Sequence, residues 1–147
     1  IADENKKKEL REHQYLQNLC TRLAQDRGYK VETEKTLESG GRVDIHLEND
    51  EVSIACEISV TNKVEYELKN IEKCIKAKYD YILCMSQDKK HLGQIADKAS
   101  ASLSKTQLSK VHFLDPKIFA QTLDSLVTNK PSIKKILGYR VKVSRKG

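Results

Sequence analysis

The chain of 147 residues contains no Trp, one Met, two Pro and few aromatics, six Tyr and two Phe. Nothing in it interleaves aromatic with basic residues, so recognition of nucleic acid by stacking bases on ring platforms is not expected, and neither is sequence-specific readout. No apolar run approaches the roughly 20 residues that span a bilayer. The opening IADENKKKEL is too polar for a secretory signal. The cytoplasm is the expected compartment and no membrane partner is expected. No CxxC pair, zinc-spaced Cys/His cluster, P-loop or dinucleotide fingerprint occurs. The four cysteines, Cys20, Cys56, Cys74 and Cys84, each sit inside an apolar run and read as reduced core thiols. The histidines, His13, His46, His91 and His112, lack metal spacing, and only His46, next to the face of Asp44, could join a site there.

What is present is charge. Charged residues make up 33% of the chain and apolar ones 38%, with a net charge of +6, which permits an anionic partner and places nucleic acid ahead of a membrane surface. The length suits one domain, residues 1–147, able to bury a core without disulfides or metals. The first residue is Ile rather than Met, which leads to the expectation of a piece of a longer protein, with any motor or partner domain elsewhere.

Apolar residues at three- and four-residue spacing predict a first helix over residues 4–26, stopped by Gly28. Strands follow at 29–36, 42–48 and 51–60, the last two joined by a two-residue turn at Asn49 and Asp50. Val64, Leu68, Ile71 and Ile75 form the stripe of a helix over 63–77. A buried strand at 79–86, a helix at 88–104, a strand at 110–114 and a helix opened by Asp115 and Pro116 complete the pattern, with a basic strand-like tail, GYRVKVSRKG. The expected architecture is α/β, a mixed central sheet with helices on both faces.

Alternation places Val43, Ile45 and Leu47 on one face of the hairpin and Asp44, His46 and Glu48 on the other. With the two-residue turn, Asp44 falls across from Ala55, with Glu57 one diagonal step away and Ser59 beyond it. Diagonal neighbours on one face lie roughly 5–8 Å apart, so Asp44 and Glu57 could share a divalent cation. The plainer alternative is that both carboxylates keep the outer face of a hairpin wet. Glu57 lies deep in IACEISV, however, where an unpaired carboxylate is costly unless it is neutralised or meets a cation.

GRVDI on one strand and ACEIS on the next, in a helix, three-strand, helix, strand order, resemble the PD-(D/E)xK nuclease superfamily, the restriction-endonuclease-like fold. The resemblance covers residues from about 9 to 115. The pair Glu12-His13, the run CEISVT and the run ELKNIEKCIKAKYDYILCMS are similar, more narrowly, to nuclease-like domains attached to DNA-translocating ATPases of plasmids and conjugative elements. The resemblance implies an αβββαβ core with additional C-terminal β/α elements, DNA as partner with an attached or associated ATPase, and Mg²⁺ (or Mn²⁺) as cofactor. It carries Asp44 and Glu57 over as metal ligands, with the Ile58 carbonyl beside them, and Glu12 as a first-helix acid with Glu9 as the alternative.

The sequence departs from the family pattern at Ser59, which stands where the motif has lysine and brings no positive charge. Lys63 is the marginal replacement from the next helix; Lys69 and Lys73 point roughly 130° or more from that helix's apolar stripe, and Lys35 and Arg42 are conceivable. Arg42, Lys35, Arg140 and Lys142 are the candidate phosphate contacts. Three readings remain open: a Mg²⁺-dependent DNA endonuclease, a nuclease-fold module that has lost catalysis and docks DNA or a protein, and an interaction domain without nucleic acid. A dimer is compatible with any of them.

Overall fold

In the computed structural model, which describes residues 2–129, helix α1 (Ala2–Gln25) is followed by strands β1 (Lys30–Thr36), β2 (Arg42–Glu48) and β3 (Ser53–Ile58). Helix α2 (Val64–Lys76), strand β4 (Tyr81–Met85), helix α3 (Lys89–Ser102), a single turn α4 (Lys105–Leu108), strand β5 (Val111–Leu114), a 3₁₀ turn (Pro116–Ile118) and helix α5 (Phe119–Asn129) complete it. The chain is an α/β protein built on one five-stranded sheet in the order β1-β2-β3-β4-β5. The first three strands form an antiparallel meander, while β3, β4 and β5 run parallel.

The local signals explain most element ends. Gly28 adopts φ 85, a left-handed conformation that suits glycine, and the amide of Tyr29 returns to the Ala24 carbonyl at 3.1 Å to close α1. Asp115 accepts from the Lys117 amide and Pro116 occupies the first turn, as the sequence predicts, although the turn they open is 3₁₀ before it becomes α5. The single turn α4, which apolar spacing does not predict, is started by a reciprocal capping box between Ser104 and Gln107. The basic tail, with Arg140 and Lys142, lies outside the described residues.

The two parallel crossovers, through α2 and α3, advance along the sheet in one direction and so lie on one face. That face packs Val43, Ala55, Ile71, Cys74, Tyr79, Ile82, Cys84 and Ile95 together. The opposite face carries α1 and α5 over Ile45, Leu47, Ile54, Cys56, Ile58, Leu83 and Met85. All four cysteines are buried and reduced, as expected. No helix among the described residues is long and apolar enough to cross a membrane.

The hairpin departs from its expected register. Asn49 Oδ1 accepts from the amides of Glu51 and Val52, at 2.8 and 2.9 Å, and the Asn49 amide donates to the Val52 carbonyl, so the turn takes four residues, 49–52. Pairing therefore shifts by two: Ala55 faces His46 instead of Asp44, and the last ladder pair is Ile45 with Cys56. One further step in that register sets Asp44 directly across from Glu57. Strict alternation also fails at Asp44. Val43 packs on the α2 side while Ile45 and Leu47 pack on the α1 side. In β1, between the residues paired with Ile45 and Val43, Glu34 holds φ 52. The strand pair is twisted there, and Asp44 sits where the two faces of the sheet meet.

Candidate functional site

Asp44 is held from three directions. Its Oδ2 accepts from the Ile58 amide at 2.8 Å and lies 3.3 Å from His13 Nε2. Its backbone carbonyl accepts from Gln17 Nε2 at 2.9 Å, and the same amide group donates to Glu34 Oε2 at 2.8 Å. His13, Gln17, Cys20 and Ala24 are spaced four, three and four along α1, and the last three are buried. Spacing from Leu16, Leu19 and Leu23 predicts Glu12 at the head of the inward row of α1. The row that reaches the site starts one residue later and is polar at its open end. Glu12 and Glu9 instead line a separate cleft with Lys8, Val60, Thr61 and Asp88. Hydrogen bonding to Asp44 raises the His13 pKa against the opposing effect of burial, so the imidazolium is favoured there.

Glu57 is 3% exposed. Burial, reinforced by the charge of Asp44, pushes its carboxyl up to about 8, and Lys73 and a hydrogen bond from Cys74 only partly oppose the shift. Lys73 Nζ stands 3.4 Å from Glu57 Oε2, and Cys74 Sγ donates to the same oxygen at 3.5 Å. Lys73 also donates to the Arg42 carbonyl and, at 3.2 Å, to Asn70 Oδ1.

Lys73 thus reaches Glu57 although the apolar stripe of α2 predicts that it points away. The buried residues of α2 are Glu67, Ile71 and Cys74, which turns the helix by roughly 60° from the apolar stripe used to orient it. Glu67 was left out of that stripe because it is charged; in the fold its carboxylate accepts from Asn62 at 2.7 Å and Asn70 at 3.4 Å. Gly41 completes the path. A Cβ on it would stand 2.6 Å from Lys73 Cδ, so its missing side chain is what lets the lysine stem pass inward over the β1–β2 loop.

Ser59, in the position of the motif lysine, is 1% exposed, and its hydroxyl lies 2.8 Å from His91 Nε2 of α3. Lys63 is exposed at the N-cap of α2. Ile58 enters through its amide, given to Asp44. Arg42 faces solvent, 3.7 Å from Glu34, and Lys35 pairs with Glu32 at 3.3 Å. His46, the histidine singled out from sequence, is engaged elsewhere: Nδ1 lies 2.7 Å from Tyr79 Oη and Nε2 2.6 Å from Glu48 Oε1.

Among the described residues no group of three or more His, Cys, Asp or Glu side chains is placed to hold a metal ion. Mg²⁺ asks less of a protein, one or two carboxylates with water and phosphate oxygens completing the shell. Asp44 and Glu57 are the two carboxylates that could supply such oxygens, the second of them buried, with its pKa raised by that burial and by the charge of the first. No protein-family model matches the chain, and no curated protein matches it either.

Proposed function

We propose that the chain is a PD-(D/E)xK-type nuclease domain that hydrolyses phosphodiester bonds in DNA with Mg²⁺ or Mn²⁺, Asp44 and Glu57 holding the ion. The reading rests on one observation above all: Lys73 Nζ at 3.4 Å from Glu57 Oε2 brings to the centre the positive charge that Ser59 cannot. The helix, three-strand, helix, strand order supports it as well. Asp44 and Glu57 would hold the ion, which when bound would activate a water and neutralise charge on the phosphate. Lys73 faces the developing negative charge, and its hydrogen bonds to Asn70 and Arg42 hold it in place before substrate arrives. His13 steadies Asp44, and Ser59, in the position of the motif lysine, is engaged by His91.

Nicking of supercoiled plasmid with Mg²⁺ or Mn²⁺ tests this. Wild type nicks; Asp44→Ala, Glu57→Ala and Lys73→Met do not, while all three keep their fold by circular dichroism. A wild-type chain that never nicks, yet binds DNA in a salt-sensitive way that Asp44→Ala and Glu57→Ala preserve, establishes the second reading, a nuclease-fold module without catalysis. One observation favours that reading: Asp44 Oδ2 is already engaged by His13 and the Ile58 amide.

A further inference from the structure

The lysine that touches Glu57 belongs to a longer row. Lys69, Lys73 and Lys76 are spaced four and three along α2, on one side of the helix, and Lys78 follows just past its end. Lys69, Lys73 and Lys76 line a recess of about 310 Å³ together with Ser39 of the β1–β2 loop. Ser39 and Lys76 also line a second recess, of about 680 Å³, to which Lys35 and Lys78 contribute. The two recesses share Ser39 and Lys76 and form one trough that starts at Lys73, the lysine beside Glu57, and runs toward the C-terminal end of α2. Five lysines line it against two carboxylates, Glu38 and Glu72. Lys73 is taken by Glu57 and Lys35 by Glu32, whereas no ion pair among the described residues engages Lys69, Lys76 or Lys78.

Lys78 adds an independent argument. It holds φ 65 at the position following the C-cap of α2, where glycine is the usual choice and a side chain is strained. A position that departs from its local preference marks a functional constraint more often than a random surface site does. Complementing the helix dipole accounts for lysine near a helix end in general, but not for lysine in a left-handed residue. Leu10, Tyr15, Tyr66 and Ile118, the large exposed apolar side chains, do not line the two recesses, although Tyr66 stands on α2 one turn before Lys69; the rings in the trough wall, His46 and Tyr79, are buried, so it offers charge and hydroxyl groups and no exposed stacking platform.

We propose that this trough carries the phosphate backbone of a nucleic-acid strand leading away from the Asp44–Glu57 centre, without regard to base sequence. The inference deepens, and rests on, the reading of that centre as one that cuts DNA. From Lys69 to Lys76 the helix advances about 10 Å, the axial span of about three phosphates along one strand. The ligand is recognised by charge spacing alone, which predicts equal affinity for scrambled sequences.

The test is fluorescence anisotropy of labelled 20-mer oligonucleotides, duplex and single-stranded, on the full chain in EDTA from 50 to 200 mM salt. Replacing Lys69, Lys76 and Lys78 by Gln lowers the slope of log K against log salt by about 0.9 per lysine for duplex and about 0.7 for single strand. A charge-matched triple at Lys89, Lys90 and Lys105 leaves the slope within about 0.5 of wild type. The trough is overturned if wild type binds neither oligonucleotide, if the trough triple keeps the wild-type slope, or if the control triple lowers it equally. Because EDTA removes cutting from the assay, the two readings fail separately. A chain that binds through the trough and never nicks plasmid loses hydrolysis alone. One that nicks while the trough triple keeps its slope loses the trough alone.

Discussion

The two faces of this sheet are built from different materials. Under α1 and α5 the strands present Ile45, Leu47, Ile54, Cys56, Ile58, Leu83 and Met85 to Leu16, Phe119 and Leu123, a layer that is dry except at its edge, where α1 turns Gln17 toward Asp44. Under α2 and α3 the same strands bury His46, Glu57 and Ser59, and α2 answers with a buried Glu67. Burying such groups costs stability unless each finds a partner. Their partners are Tyr79, Lys73, His91, Asn62 and Asn70. One face holds the sheet together and the other spends part of that stability on a prearranged polar centre. Asp44 marks the boundary, where the alternation of β2 breaks and His13 arrives from the dry side.

If this division holds, the largest stability loss comes from the dry face and leaves the chemistry intact. Phe119→Ala, at a fully buried ring, destabilises by about 3–5 kcal/mol in urea denaturation. The nicking rate per folded molecule stays within about twofold of wild type. A variant that folds but no longer nicks would mean that the faces are coupled.

The next effect belongs to the polar face and reverses the usual acid behaviour of a carboxylate. Burial raises the Glu57 pKa from 4.5 to about 8, so the folded chain keeps a proton that the unfolded chain releases between those values. The stabilisation is fully present below pH 4.5 and is lost as pH rises through 8. Without divalent ions, wild type loses on the order of 4 kcal/mol across that window relative to Glu57→Gln. The comparison is made by urea titration at a series of pH values. If Glu57 holds a divalent cation as proposed, the ion competes with that proton, and Mn²⁺ raises the wild-type Tm more at pH 8 than at pH 6 and leaves Glu57→Gln unmoved. Parallel pH curves for the two proteins would remove Glu57 as the buried acid.

A smaller change separates the geometry of the centre from its composition. Gly41→Ala adds one methyl group where Lys73 Cδ now passes. All charged residues remain, but the lysine is displaced from Glu57. Nicking falls about tenfold, roughly 1.4 kcal/mol of barrier, while urea stability changes by less than that. Full activity in Gly41→Ala would show that Lys73 reaches the phosphate by another path.

The sequence was legible where one period and one kind of residue ran together. The order of elements, the hairpin, the buried strand around Cys84 and the Asp115-Pro116 start were read from apolar spacing and turn chemistry. Asp44 and Glu57 were legible as a pair, although in the wrong register, because Asn49 can close a turn of two residues or of four and only its side-chain bonds decide. Lys73, His13 and Gln17 were obscured for a shared reason. Each helix was oriented by its apolar residues, and each turns a partly polar row inward: Glu67, Ile71 and Cys74 in α2, and His13, Gln17 and Cys20 in α1. A helix that borders a polar centre cannot be oriented by hydrophobicity alone. Gly41, next to Gly40 in the loop before β2, was the available hint that something crosses that loop.

The smallest expected effect bears most directly on why the polar face is built as it is. Lys78→Gly removes a side chain from a residue at φ 65 and stabilises the chain by about 0.5–1 kcal/mol, measured by urea denaturation. Its DNA affinity at 50 mM salt falls, and the salt slope for duplex drops by about 0.9. Lys78→Gln lowers the slope by the same amount without the gain in stability, because the strained backbone remains. Charge and conformation are thereby separated at one residue. A lysine kept where glycine would be more stable is retained for what its ammonium group meets. Should Lys78→Gly gain stability at no loss of slope, the lysine serves the end of α2 alone, and the polar face stops at Lys73.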